Sequence, residues 1–256
     1  MELGLEGKRV LVTGGSKGLG YAIAAELGRE GARVAICSRN EEEVLAAGRE
    51  LGVAHAQVAD VTDPDQVEDF VARSAEALGG IDALVNNAGR AHPGTFETLS
   101  DEDWAADLDV KLFSLIRCSR AVLPHMRAAG GGRIVNIGAV YGRYPDPVFF
   151  GTSVNRAAGN SFTKTLALEL APDGILVNGV NIGYVVTPQW ENIHRRRAPD
   201  LPRDEFFAQL AEREVPLGRF GSPEEVSGIV VFLLSDRAGY ITGASIDVAG
   251  GMGKYV

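Results

Sequence analysis

Short runs rich in Val, Ile and Leu recur at 9–13, 33–37, 54–58, 81–85, 133–137, 175–178 and 244–248, most of them closed by glycine, serine, asparagine or aspartate. Such runs between turn formers predict buried strands. Between them the apolar positions fall at helical spacing: Ala22, Ile23, Ala25 and Leu27; Val67, Phe70 and Val71; Val154, Ala157, Ala158, Phe162, Leu166 and Leu170. The last set predicts a helix over 152–170. Asp63-Pro64 starts another helix, and Ser222-Pro223 gives a third its N-cap and its first-turn proline. A long helix is expected over 101–129, with Pro124 bending or interrupting it late. Strands alternating with helices predict an α/β protein built on a doubly wound parallel sheet of about seven strands, with helices on both faces. In such a sheet ligands bind beyond the carboxyl ends of the strands.

Composition narrows the picture. With 256 residues, 45% of them hydrophobic, and no Pro/Ser-rich linker, the chain suits one domain over 1–256 with a large core. A formal charge of −9 argues against nucleic acid or an anionic membrane as a partner. Arg195-Arg196-Arg197 is the only basic cluster, a solvated face or a contact for an anionic substrate tail. Cys37 and Cys118 sit in apolar stretches and read as core thiols, with neither a disulfide framework nor a metal site implied. The absence of a leader-like segment and of a long apolar run predicts a cytoplasmic protein.

The chemistry-bearing residues gather at the predicted strand ends. The first strand runs into Gly14-Gly15-Ser16-Lys17-Gly18-Leu19-Gly20 and then a helix. Glycines permit a tight turn and close approach of a pyrophosphate, and a helix N-terminus offers N–H groups and the positive end of its dipole. The second strand ends in Ser38-Arg39 rather than in an acid, which suits a 2′-phosphate better than a ribose hydroxyl. Lys17 and Arg39 would form a charge-assisted cradle for it.

These motifs, with Thr13, Asn86-Asn87-Ala88-Gly89, Gly142, the run 162–170 and Gly183 with Thr187, resemble the short-chain dehydrogenase/reductase family along the whole chain, in particular its 3-oxoacyl-carrier-protein-reductase-like members. The resemblance implies a Rossmann-type fold and a nicotinamide cofactor, NADP(H) rather than NAD(H). Its cofactor positions fall on Gly14, Ser16, Lys17, Gly18, Leu19, Gly20, Ser38, Arg39, Asp60, Val61, Asn87, Ala88, Gly89, Gly183 and Thr187. Asp60 and Val61 take the place of adenine contacts, and Thr187 that of the residue bonding the nicotinamide amide. Ile182 departs from the family's proline. The segment 189–220, with Trp190, Phe206 and Phe207, corresponds to the variable substrate lid. A small carbonyl or alcohol ligand is implied, and a homodimer or homotetramer, with an active paralogue as a further partner.

The family's proton-transfer set of Asn, Ser, Tyr and Lys is replaced by Lys111, Ala139, Thr152 and Arg156. Ala139 cannot hydrogen-bond a substrate oxygen with its side chain. Thr152 is a far poorer acid than a phenol of pKa about 10. Arg156 keeps a charge but, with a pKa above about 12, offers no reversible proton. Two readings follow: a non-catalytic or weakly active cofactor-binding member serving as partner subunit or sensor, or an NADP-dependent oxidoreductase with relocated acid–base groups. For the second, Lys111, Tyr141, Tyr144, His92 and Tyr184 are the candidates.

Overall fold

Along the strand Arg9–Thr13 (β1) successive side chains go to opposite faces. Val10 and Val12 pack with Ile23, Leu27 and Val230, whereas Leu11 packs with Phe70, Leu84, Val122 and Met126. Both faces are covered by helices, so neither needs polar alternation, and the strands read as near-continuous apolar runs. The computed structural model describes residues 2–253; residues 1 and 254–256 of the expected unit lie outside the described residues.

The sheet is wholly parallel, with seven strands in the order β3-β2-β1-β4-β5-β6-β7. The others are β2 (Arg33–Ser38), β3 (His55–Val58), β4 (Ala83–Asn86), β5 (Gly132–Ala139), β6 (Ile175–Ile182) and β7 (Ser245–Val248). The order reverses between β1 and β4, which opens a crevice at their carboxyl ends. Helices α1 (Gly18–Arg29), α2 (Glu41–Leu51), α3 (Pro64–Leu78), α4 (Asp101–Leu108), α5 (Ser114–Ala128), α6 (Phe150–Leu170), α7 (Pro188–Arg197), α8 (Arg203–Glu214) and α9 (Pro223–Leu234) complete the fold. The expected caps form: Asp63 accepts from the N–H groups of Asp65 and Gln66, and Ser222 with Glu225 makes a capping box. Among the described residues no helix is long and apolar enough to cross a membrane.

Several expected elements differ in detail. The helix over 101–129 is divided by a π turn, Asp109–Phe113, and not by Pro124, which lies inside α5. Proline leaves the carbonyl of Arg120 without its helical donor, but Arg120 is exposed and water can supply one. In the π turn the Ser114 N–H bonds the carbonyl of Asp109, and Ser114 Oγ donates to the carbonyl of Val110 at 2.8 Å. The helix expected from Thr152 begins at Phe150, and the strand expected over 133–137 extends to Ala139. Gly142 is required where it stands, because a Cβ there would lie 2.7 Å from the backbone of Arg156.

A buried polar chain fixes α6 against the sheet. Asn86 Nδ2 donates to Asn136 Oδ1 at 2.9 Å, Asn136 Nδ2 to Thr163 Oγ1 at 2.9 Å, and Thr163 Oγ1 to the Gly159 carbonyl at 2.8 Å. It links β4, β5 and the middle of α6. Asn136→Ala would leave Thr163 and Asn86 short of a partner in the interior. We expect a loss of about 1–3 kcal/mol per orphaned group in urea unfolding, with the slope of the transition unchanged.

Candidate active site

One cleft of about 420 Å³ opens at the carboxyl ends of the strands, and its walls include every residue placed above on the cofactor and proton-transfer positions. Its floor is the turn between β1 and α1. Asn87 Nδ2 donates to the carbonyls of Thr13 and Gly14 at 2.9 and 3.1 Å, and Thr13 Oγ1 accepts from the N–H groups of Asn87 and Ala88. The turn is thereby clamped to the end of β4. A Cβ at Gly20 would stand 2.2 Å from the Gly14 carbonyl, so only glycine allows this curl.

The turn has the chemistry of an anion site. Lys17 caps α1 through its backbone, with no side-chain cap and no acid in the first turn, so the helix N–H groups remain open toward the cleft. Lys17, Ser38 and Arg39 line the same end, as does Glu43, which accepts from Lys17 Nζ at 2.8 Å. An incoming phosphate would therefore compete with Glu43 for Lys17. Asp60 spends its carboxylate on the next turn, accepting from the Thr62 N–H and hydroxyl at 2.9 and 2.8 Å. Thr187 and Gly183 lie on the far wall. Arg156 Nη1 donates to the Ile137 carbonyl at 2.9 Å, while its Nε is buried without a partner. An acceptor entering the cleft, such as a ribose hydroxyl, would satisfy that donor, and the residues present fit a dinucleotide.

Beside Arg156, Lys111 reaches in from the π turn with only 1% of its side chain exposed. Its ammonium donates to Asp107 and, at 2.6 Å, to Thr152 Oγ1. Asp107 Oδ2 is held in turn by Asn155 Nδ2 at 2.9 Å. Burial and the neighbouring Arg156 charge push Lys111 down to about 8, against the opposing pull of Asp107. Burial likewise brings Arg156 down to about 10. Both guanidinium and ammonium are cationic at neutral pH, but only the lysine exchanges its proton near it.

Thr152 and Arg156 share the face of α6 that meets the cleft, and Ala139 lies opposite on β5. Of the other candidates, Tyr141 and Tyr184 line the cleft, and Tyr141 donates to Tyr184 at 3.1 Å. Burial raises both phenols, so they stay protonated and serve as hydrogen-bond donors, not as proton sources. Tyr144 and His92 are not part of the cleft wall. Neither is any of Arg195, Arg196 and Arg197: α7 turns Trp190 and Ile193 into the cleft, and Arg195 bonds Asn192. The alternative of a contact for an anionic tail therefore finds no support at this wall, and the solvated-face reading stands. That wall is aromatic instead, with Tyr184 and Trp190 4.5 Å apart and Tyr141 stacked on Phe149 at 5.0 Å.

Residues 14–253 match the family described as enoyl-(acyl carrier protein) reductase. The chain is also 35% identical over 252 residues to the 3-oxoacyl-(acyl-carrier-protein) reductase FabG of Thermotoga maritima, covering 97% of this chain and 98% of the other. The chain is a short-chain dehydrogenase/reductase. Among solved structures it is similar to a short chain oxidoreductase from Pseudomonas aeruginosa PAO1 containing an atypical catalytic center, at 37% identity over 99% of this chain and 100% of that one, with TM-score 0.93. It is likewise similar to L-sorbose reductase from Gluconobacter frateurii complexed with NADPH and L-sorbose, at 35% identity, full coverage of both chains and TM-score 0.96.

Two site residues of this short-chain dehydrogenase/reductase were missed in the sequence: Asp107 and Asn155. A signal for the first was present, since Asp107 lies four residues before Lys111 on one helix face. Among the described residues no group of three or more His, Cys, Asp or Glu side chains is placed to hold a metal. Asp107→Asn would leave the Lys111 charge buried without its counterion, at a cost of about 3–5 kcal/mol near neutral pH. The folded-state pKa of Lys111, already below its ordinary value, would fall further. The unfolded chain then binds more protons than the folded one above that pKa, so stability rises with pH until the ordinary lysine range is reached. Urea titrations of the variant at successive pH values should show a deficit that shrinks toward alkaline pH.

Proposed function

We propose that this protein is an NADP(H)-dependent oxidoreductase of small carbonyls or alcohols in which Thr152 and Lys111 do the work of the missing tyrosine. The observation that carries this reading is the Lys111–Thr152 contact. Thr152 Oγ1 accepts from a lysine poised near neutral pH and, among the described residues, donates to no atom, so its own proton is available to the cleft it lines. A bound nicotinamide supplies the hydride. As charge develops on the carbonyl oxygen, Thr152 passes its proton to that oxygen and is refilled from Lys111 in the same motion, so a free alkoxide of threonine never has to form. The Tyr184 hydroxyl, which accepts from Tyr141, offers a donor for polarising the substrate oxygen in place of the side chain that Ala139 lacks. Arg156 holds the sugar side of the cofactor through Nε and keeps Lys111 acidic through its charge.

NADP(H) is favoured over NAD(H) by Lys17 and Arg39, and by the absence of an acid at Ser38. The Pseudomonas relative has been solved with NADPH bound, and the Gluconobacter relative is a reductase. The segment 189–220 serves as the lid, tied to the loop after β4 where Gln189 Oε1 accepts from the Ala91 N–H at 2.7 Å. The homo-oligomer implied by the resemblance is supported by apolar side chains left in the open on α6, Val154 and Leu168, whose spacing puts them on one face.

Titration with NADPH and NADH, followed by turnover across a carbonyl panel, tests the assignment. NADPH should bind at least about tenfold tighter, and Arg39→Ala should erase most of that difference through loss of a charge-assisted bond. Carbonyl reduction should decline as pH rises through about 8, where Lys111 loses its proton. Lys111→Met should lower kcat by about 10²–10⁴ and abolish that ionisation. Cofactor binding without turnover on any substrate would favour the partner-subunit or sensor role instead.

A further inference from the structure

Each carbonyl reduced consumes one proton at Thr152, and the cleft offers no evident way to replace it. Lys111 is 1% exposed, and cofactor and substrate would fill the space on its cleft side. Behind it the structure is different. Asp107 Oδ1, the oxygen that accepts from Lys111, lies 3.9 Å from His92 Nδ1. His92 Nδ1 is buried and has no hydrogen-bond partner. On the far side of the ring, Nε2 lies 3.2 Å from Oδ1 of Asp103, a residue with 41% of its side chain open to water. Neither His92 nor Asp107 lines the cleft, so the two form a line from active site to solvent that does not pass through the substrate space.

We propose that His92 is the relay residue that returns protons to the active site, along a chain from solvent and Asp103 through His92, Asp107 and Lys111 to Thr152. The proposal rests on the oxidoreductase reading and adds the route by which that reaction is recharged. After turnover Lys111 is a neutral amine. The imidazolium of His92 breaks its Nδ1–H bond and protonates Asp107 Oδ1, that oxygen passes the proton to Lys111 Nζ, and the ammonium is restored. A swing of the ring, 23% exposed, carries the bare Nδ1 out to water, where it takes up a proton, and returns the Nδ1–H to Asp107. In alcohol oxidation every transfer runs backward. Histidine suits the position because it carries two exchangeable nitrogens. A small swing of the ring closes the gap to Asp107, whose other oxygen is pinned by Asn155. The charged groups around the chain are Asp103, Asp107, Arg156 and Arg90, the last two of which act on Lys111.

His92→Ala is the test, with imidazole as the probe. It should lower kcat by at least about tenfold, leave KM and NADPH affinity unchanged, and recover in imidazole buffer. A purely structural histidine would give none of that rescue. Independently of turnover, the ¹⁵N NMR titration of the His92 ring in the protein alone should move in Asp107→Asn if the two groups are coupled. An active wild type with an unimpaired His92→Ala variant, or a His92 titration indifferent to Asp107→Asn, would overturn the relay alone. A wild type that binds NADPH yet reduces no carbonyl would remove the oxidoreductase reading and the relay with it.

Discussion

A lysine ammonium almost wholly withdrawn from water persists only where something answers its charge, and the arrangement of this site follows from that requirement. Asp107 supplies the charge, Thr152 a neutral acceptor, and Asn155 holds the carboxylate in place. The pair contributes little net stability, since desolvation offsets most of the attraction. What it does provide is position: one turn of helix places Asp107 and Lys111 together, and α6 must dock with Thr152 and Asn155 facing them. The π turn at Asp109–Phe113 carries Lys111 inward and frees a carbonyl that Ser114 then satisfies. Turns of this kind recur at functional sites because they re-aim one side chain without ending the helix.

The rest of the fold serves to hold two walls of a cleft at fixed separation. Parallel strands with apolar residues on both faces give a stiff sheet, and its reversal of order leaves room above β1 and β4. The glycine turn after β1 and the start of α6 after β5 then face the same opening. One wall carries the glycine turn and the open N-terminus of α1, the chemistry of an anion site. The other sets the alcohol of Thr152 beside the ammonium of Lys111, from the π turn, and the guanidinium of Arg156. Two cations thus stand on this wall, and Lys111, the one whose proton exchanges nearer neutrality, comes from the π turn and not from α6.

Much of this was legible in the residues. The strand and helix order could be read from apolar spacing because both faces of the sheet are buried, and the caps at Asp63 and Ser222 announce themselves by residue type. The ends of elements were less so: α6 starts at Phe150 and β5 runs to Ala139, because their limits depend on neighbours and not on local preference. Pro124 was read as a breaker, yet an exposed carbonyl tolerates it. Lys111 was already a candidate from the resemblance, but Tyr141 could be dismissed as a proton source only once its partner Tyr184 and its burial were known.

By itself the sequence determined the fold class and the glycine turn after β1, because each is set by spacing along the chain. Only the tertiary structure decided that Lys111 and Thr152 touch, that Asp107 and Asn155 support them, that Glu43 reaches Lys17, and that His92 lies behind the site and not within it. Those pairs are separated by up to about fifty residues, as in Asp107 and Asn155. Whether such groups meet depends on how α4, the π turn and α6 pack, and a buried charge takes its partner from whatever that packing brings within reach.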